Sequence, residues 1–380
     1  MKKIFLYFTV FLCSAILISC TNKTSEDLID WYFTYEIIDD EYAAVTGFYL
    51  EFDEDNVSKL TYDVHAIIAD ENEGYPVKRI RPKALSIISI STITLGNNIE
   101  VIESLAFEYA NRLKIIFSES VRIIEAESFK HARDIEIIFP EKSRLEIMGQ
   151  NAFAGTHIKS IVIPGLVHTI EPYAFADSHL EQIEFQLPSS LKIISESAFS
   201  ATKTRKIFLP QSIEEIHDGA FDSSHLEEVI FEEDSKLWFV GAHAFAQTSL
   251  LSFDFPSLVT SVGLEVFYRS DDLKHLGLPP LLTQINGDIF HGLESVEEIR
   301  IPRGVTHLGD GAFSGFYNLK KVYLPDTIVS IGQNTFYDSG RNGGYTVYIE
   351  GETLLDTWDA WLWHAGGDSI TFVFNHEFTY

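Results

Sequence analysis

The chain has 380 residues, 46% of them hydrophobic and 13% aromatic, which is ample apolar surface for a large core and excludes disorder over most of its length. Fifty-six acidic against 28 basic side chains leave a formal charge of −28. Such a surface repels phosphate backbones and anionic headgroups, which argues against nucleic-acid binding and electrostatic membrane docking.

In chain order, the first element is a short apolar run. "MKK" supplies a positive start, "IFLYFTVFLCSAILIS" the apolar stretch, and Cys20 is followed by polar "TNKTSED". This reads as an export signal, and the run is short for a spanning helix. Leu17-Ile18-Ser19-Cys20 resembles the bacterial lipobox. The resemblance implies that residues 1–19 are a lipoprotein signal peptide and that an acylated Cys20 begins a tether over 20–30. A plain membrane anchor and an ordinary secretory signal are the alternatives. Cys13 and Cys20 are the two cysteines, so the body of the chain has no disulfide, thiol nucleophile or thiolate metal site.

Residues 31–74, "WYFTYEIIDDEYAAVTGFYLEF…", read as a few strands with acidic turns, a β lead-in that caps the N-terminal end of the fold. The acidic "DEDN" (53–56) and "DEN" (70–72) lack the glycine and closing glutamate of an EF-hand and read as solvated turns.

From 75 to 338 the chain is periodic. Leu85, Phe107, Phe129, Phe153, Phe175, Phe199, Phe221, Phe245, Phe267, Phe290, Phe313 and Phe336 succeed one another at 22 to 24 residues. Five and eight residues before every marker stands an aliphatic residue or methionine, from Ile80 and Val77 to Ile331 and Ile328. Each unit therefore sends at least three apolar side chains to one interior, and stacking the units makes a continuous core. Upstream of each marker lies a short alternation ending in proline or a polar residue, such as "IVIP", "IFLP" or "VYLP", which predicts a strand, terminated where proline removes the donor. The period is too short for a strand plus a long crossover helix. Each coil is expected as a strand, a turn, a second extended piece and a tight corner, where the small residue before the phenylalanine predicts crowding and one short helical turn. The fold class is a mainly β repeat solenoid, an arc of about 12 coils of 22–24 residues with a parallel sheet on its concave face.

Residues 339–380 break the period, concentrate Trp358, Trp361 and Trp363, and read as a C-terminal cap, with a sugar platform as the competing use of the aromatics.

Motifs for chemistry are absent: there is no H-E-x-x-H, G-x-S-x-G, P-loop or G-x-G-x-x-G, so neither an enzyme nor a cofactor is expected. His131, His179, His225 and His291 recur near one corner, which repeat phase explains better than metal binding. Glu227-Glu228 and Glu297-Glu298 are strand neighbours expected to point to opposite faces, which does not suit a glycosidase pair.

What remains is surface. The middle residue of each I-x-I alternation points outward. Along the array that column is Ile116, Ile138, Val162, Glu184, Phe208, Ile230, Asp254, Gly277, Arg300 and Tyr323. Six of these ten are apolar or aromatic where solvated positions should be polar, and contiguous exposed apolar surface marks interaction sites. Two residues earlier, Lys114 with Glu136 and Lys206 with Glu228 are expected as opposite-charge neighbours across parallel strands.

The unit "VEEIRIPRGVTHLGDGAF" (296–313) resembles the BspA-like class of bacterial leucine-rich repeats, and the resemblance covers about residues 75–338. It departs from that pattern in the 24-residue units, where a longer polar turn such as "FEEDSKL" or "FQLPSSL" replaces the short one. The resemblance implies a lipid-anchored protein on the outer membrane or cell surface of a diderm bacterium, touching the membrane only through its N-terminal lipid. It implies protein partners on the concave face, in adhesion to host or matrix proteins or to other bacteria. The alternative is a carbohydrate-binding or scavenging lipoprotein that stacks sugars on Phe208, Tyr323 and the C-terminal tryptophans.

Overall fold

The computed structural model describes residues 3–5, 29–53, 65–352 and 370–377, divided into two compact units, Met1–Ser190 and Leu191–Tyr380. In the first unit the chain opens with a long antiparallel hairpin, Ile29–Ile38 against Tyr42–Asp53, whose register shifts at Thr34/Tyr35. The strand Lys3–Phe5 adds to it antiparallel, opposite Asp53 to Glu51. Ala43, Ala44 and Val45 then pair in parallel with Tyr75–Ile80, so the hairpin caps the first coil and starts its ladder.

Each coil beyond the hairpin contains two strands. The first strand carries the I-x-I alternation; in this unit these are His65–Ile67, Thr92–Thr94, Lys114–Ile116 and Glu136–Ile138, one four-stranded parallel sheet, then Ser160–Ile163 paired with Gln182–Phe185. The second strand ends on the aliphatic residue five before the marker; it is Tyr75–Ile80 in the first coil and two residues long in the coils that follow. Val101–Ile102, Ile123–Ile124, Ile147–Met148 and Thr169–Ile170 form a second parallel ladder. The Leu191–Tyr380 unit repeats the plan, with Lys206–Leu209, Glu228–Phe231, Ser252–Asp254, His275–Gly277, Glu298–Arg300, Lys321–Leu324, Thr346–Ile349 and Thr371–Val373 as first strands. No helix occurs among the described residues.

The core keeps the period residue by residue. All eleven marker phenylalanines and Leu85 are buried, as are all twenty-four aliphatic or methionine residues five and eight positions before them. The phenyl rings stack from coil to coil with centroids 4.9 Å apart for Phe107–Phe129 and Phe129–Phe153, and 5.3 Å for Phe221–Phe245. The proline-ended strands close through a turn in which the proline carbonyl accepts from the residue three ahead, as from Val167 to Pro164 and Ile213 to Pro210. That turn swings the residue eight before the marker into the core.

The corner corrects the expected helical turn. At every one of the twelve markers the residues two before and two after have positive φ, from Lys83 (62°) and Ile87 (63°) to Asn334 (56°) and Asp338 (59°). Helical geometry would turn the N–H groups along the coil's own axis. Here alternate ones point to the next coil: Phe107 N–H donates to the Ser128 carbonyl and Tyr109 N–H to that of Lys130, and Phe221 and Ser223 donate to Ala244 and Ala246, while Ala106 and Glu108 between them donate three residues back to Glu103 and Leu105. The corner is thus a third ladder between coils, and the alanine before the phenylalanine is buried completely because two backbones meet there (Ala106, Ala152, Ala220, Ala244).

The 24-residue coils are explained by the same logic. Their longer turns reach back over the preceding coil: Ser190 N–H donates to Gly165 and Lys236 N–H to Gln211. Buried Ser143 and Ser235 receive the backbone N–H two residues on (3.3 and 3.4 Å), and the Gln186 amide bridges the Gly165 N–H (3.1 Å) to the Glu141 carbonyl. Extra length is absorbed as turn; the second-strand ladder and the corner run through it, while the first-strand sheet is interrupted there, between Glu136–Ile138 and Ser160–Ile163 and between Glu228–Phe231 and Ser252–Asp254.

Candidate binding face

The first strands position the column of outward side chains. Alternation along a strand buries the flanking residues, such as Ile161 and Ile163, and leaves the middle one on the surface, as in the exposed–buried–exposed–buried pattern of Ser160–Ile163. Parallel pairing without offset sets Thr94 beside Ile116, Ile116 beside Ile138, Val162 beside Glu184, Phe208 beside Ile230 and Arg300 beside Tyr323.

Of the predicted column, Ile138 (36%), Val162 (47%) and Phe208 (42%) are exposed, as are Glu184, Asp254 and Arg300. Ile116 and Ile230 are half-buried between neighbouring coils. Gly277 leaves room that the Asp254 carboxylate fills: a Cβ there would lie 2.0 Å from Asp254 Oδ1. Asp254 is in turn held by His275 Nε2 at 2.9 Å.

Tyr323 requires a correction. Strand alternation predicts an exposed aromatic platform there, but the residue is only 9% exposed. The Arg300 guanidinium lies over its ring at 4.1 Å, Tyr348 stacks on it at 4.9 Å, and His376 stands at 5.8 Å. Its neighbours in the column are long enough to fold over it, so the surface expected of it is occupied by this chain.

Three members of the face lie outside the predicted column, although Thr94, nine residues after Leu85 as Ile116 is after Phe107, is in phase with it. Ile67 (44% exposed) and Thr94 continue the column before Ile116, and Tyr348 continues it after Tyr323. The intervals around Ile67 and Tyr348 are stretched, so they fall out of phase with the markers. The signal that was available is local alternation, "TIT" and "TVYI".

The face is framed by ion pairs. Lys114 meets Glu136 at 3.0 Å and Lys206 meets Glu228 at 2.8 Å, in the expected parallel register. Arg300 and Lys321 share Glu298 at 2.8 and 3.7 Å. These are exposed pairs, worth about 0.2–1 kcal/mol each, and they orient side chains more than they stabilise the coil.

The carboxylate neighbours also differ from expectation. Glu227 and Glu297 sit in the bend before the strand, where alternation does not apply, so each pair shares the surface. Each member has its own cation: Arg205 for Glu227 (3.6 Å), Lys206 for Glu228, Lys320 for Glu297 (2.6 Å) and Lys321 for Glu298. The corner histidines are engaged with neighbouring coils. His131 stacks on Tyr109 at 5.4 Å, His179 on His157 at 4.1 Å, and His291 Nδ1 meets Ser314 Oγ at 2.6 Å. Among the described residues no group of three His, Cys, Asp or Glu is arranged to hold a metal ion. Asp70, in one of the acidic turns, accepts from the Asn97 backbone N–H at 2.5 Å and ties two turns together. Cys20, Trp358, Trp361 and Trp363 lie outside the described residues.

Known proteins that resemble this chain share its architecture. A family model described as "BspA type Leucine rich repeat region" matches residues 73–181, 146–274 and 238–343. A leucine-rich repeat protein from Bacteroides ovatus is 21% identical, with 90% of this chain and 98% of that chain covered and a TM-score of 0.56. The pneumococcal vaccine antigen PcpA is 17% identical, with 95% and 93% covered and a TM-score of 0.49. No curated protein matches this chain by sequence.

Proposed function

The chain belongs to the BspA-type leucine-rich repeat family, and from that premise we propose that it is an exported, lipid-anchored surface protein that binds protein partners through its strand face. The observation that carries this reading is the apolar stripe of the first unit. Ile67, Ile138 and Val162 are exposed and Ile116 is half-exposed, on strands whose other outward residues are polar. Strand propensity and packing between coils favour some aliphatic residues on such a face, and a partner that covers this stripe removes its surface from water at roughly 25 cal/mol per Å². The rigid backbone beneath means that little ordering entropy opposes binding. Adhesion to host or matrix proteins or to other bacteria is the role such a face would serve. The protein is read as a binder with no catalytic chemistry.

The test is the paired substitution Ile138→Asp with Val162→Asp. Capture of host-matrix and bacterial surface proteins by the chain should fall at least about tenfold, while the cooperative melting transition stays in place. Unchanged capture by a folded variant would refute the strand-face assignment. The anchor rests on Cys20: acyl labelling in the expressing bacterium should vanish in Cys20→Ala, and labelling that persists would remove it from the proposal. Sugar stacking is the weaker reading, since Tyr323 would have to shed Arg300 before a sugar ring could lie on it.

A further inference from the structure

A second surface stands out on the other side of the coil. Residues Glu196, Glu215, His217, Asp218, Trp238 and Phe239 line an open groove of about 390 Å³ beside the two-residue strands Glu215–Ile216 and Phe239–Val240. The groove exists because the coil containing His217 and Asp218 is succeeded by one with Gly241 and Ala242 at the same positions, which leaves a step. Backbone contacts keep the step tight: Gly241 N–H donates to Ile216 and Ala242 N–H to Asp218 Oδ1 at 2.8 Å.

The residue at the rim is the unusual one. At the position of Trp238, seven before the marker, six of the other eleven coils place charges that pair between coils: Lys78 with Glu100 (3.0 Å), Arg122 with Glu146 (3.1 Å) and Lys192 with Glu214 (2.9 Å). Trp238 follows the last of these pairs with an indole that is 42% exposed, and Thr260, Thr283, Thr306 and Val329 occupy the position in the coils after it. Phe239 lies behind it at 5.6 Å, and His217 meets the Phe239 ring edge-on at 5.9 Å. His217 Nε2 also holds Glu215 Oε2 at 2.7 Å. The lining therefore combines an aromatic floor with three carboxylates, two of them held in place, and contains no lysine or arginine.

We propose that this groove receives an arginine side chain from a basic segment of a protein partner. A guanidinium is planar, weakly hydrated and permanently charged, so it can stack on an indole face while its N–H fork meets carboxylates. A neutral sugar would use the indole but not the charge; a bare divalent ion would use the charge but not the indole. The overall charge of −28 draws basic segments toward the surface at large, and the groove supplies the local geometry. The proposal rests on residues separate from the strand face, and the two readings can fail independently.

The experiment measures fluorescence anisotropy of a dye-labelled Gly/Ser nonapeptide carrying two arginines, titrated with the full chain. The comparison peptides carry citrulline, the neutral isostere, or lysine. The arginine peptide should bind, the citrulline peptide at least about tenfold more weakly, and the lysine peptide in between. Trp238→Ala should weaken binding about fivefold, with Trp238→Phe retaining most of it. Glu196→Gln with Asp218→Asn should also weaken it about fivefold, while Glu233→Gln with Asp234→Asn, an equal loss of charge at an exposed turn, should leave it within about twofold. Ile138→Asp with Val162→Asp should leave it unchanged. Equal binding of the citrulline peptide, an equal loss from the control pair, or Trp238-dependent binding of a neutral oligosaccharide or of calcium in place of the peptide would overturn the proposal.

Discussion

The corner and the strand face are both ladders between coils, built from the same parallel N–H to C=O pairing, yet they treat side chains in opposite ways. At the corner one residue type recurs: eleven of twelve markers are phenylalanine, all buried. On the strand face the register is kept within each of several short sheets, but the residues run from isoleucine to glutamate, phenylalanine, aspartate, glycine and arginine. The difference is what each side chain meets. The corner ring fills a gap whose size one coil sets for the next, so a change in volume is felt by both neighbours. The outward residue meets solvent, and the backbone holds its register whatever stands there. Recurrence therefore marks fold, and variation marks the surface free to be selected for binding.

That contrast can be broken most severely at the corner. Phe221→Ala removes a ring stacked between Phe199 and Phe245 and should cost about 3–5 kcal/mol, read as a drop in the denaturant midpoint. The paired aspartate substitutions on the strand face should cost less than about 1 kcal/mol in the same measurement. Equal costs at the two places would erase the distinction. A smaller effect is expected where backbones touch without a side chain between them. A Cβ on Gly263 would lie 2.2 Å from the Ala242 nitrogen, so Gly263→Ala should destabilise by about 1–3 kcal/mol. The smallest expected change has the opposite sign. Ile87 is β-branched, exposed and held at φ 63°, so Ile87→Gly should stabilise by about 1 kcal/mol if left-handed strain is real there. A midpoint that falls in Ile87→Gly would show that the side chain contributes more than the strain costs.

The strand face also differs between the two units. In the first it is mostly aliphatic, through Ile67, Ile116, Ile138 and Val162, with Thr94 and Glu184 beside them; in the second it carries Phe208, Ile230, Asp254, Arg300 and a buried Tyr323 within a stacked cluster. An alternation rule treats these positions alike, because it assigns direction and not cover. Tyr323 shows the gap: it points outward as expected, and its neighbours bury it.

Much of the coil was legible in the residue order. The spacing of Phe107 to Phe336, with aliphatic partners five and eight residues before, identifies the core because burial selects for apolar side chains at every turn. Lys114 with Glu136 could be paired from register alone. The corner conformation could not be read this way. Lys83, Leu105, Tyr109, Glu127 and Ile87 have no left-handed signature, and glycine occupies few of those positions. They adopt positive φ because the neighbouring coil rewards it with hydrogen bonds.

The periodic apolar residues, with a strand alternation in every unit, are enough to dictate a stacked, mainly β repeat, since stacking is what buries three apolar side chains every 22 to 24 residues in one continuous core. The left-handed corners, the stretched coils that bring Ile67 and Tyr348 onto the face, the cover over Tyr323 and the step beside Trp238 depend on what sits in the adjacent coil. They arise from contacts between residues more than twenty positions apart, which no local pattern encodes.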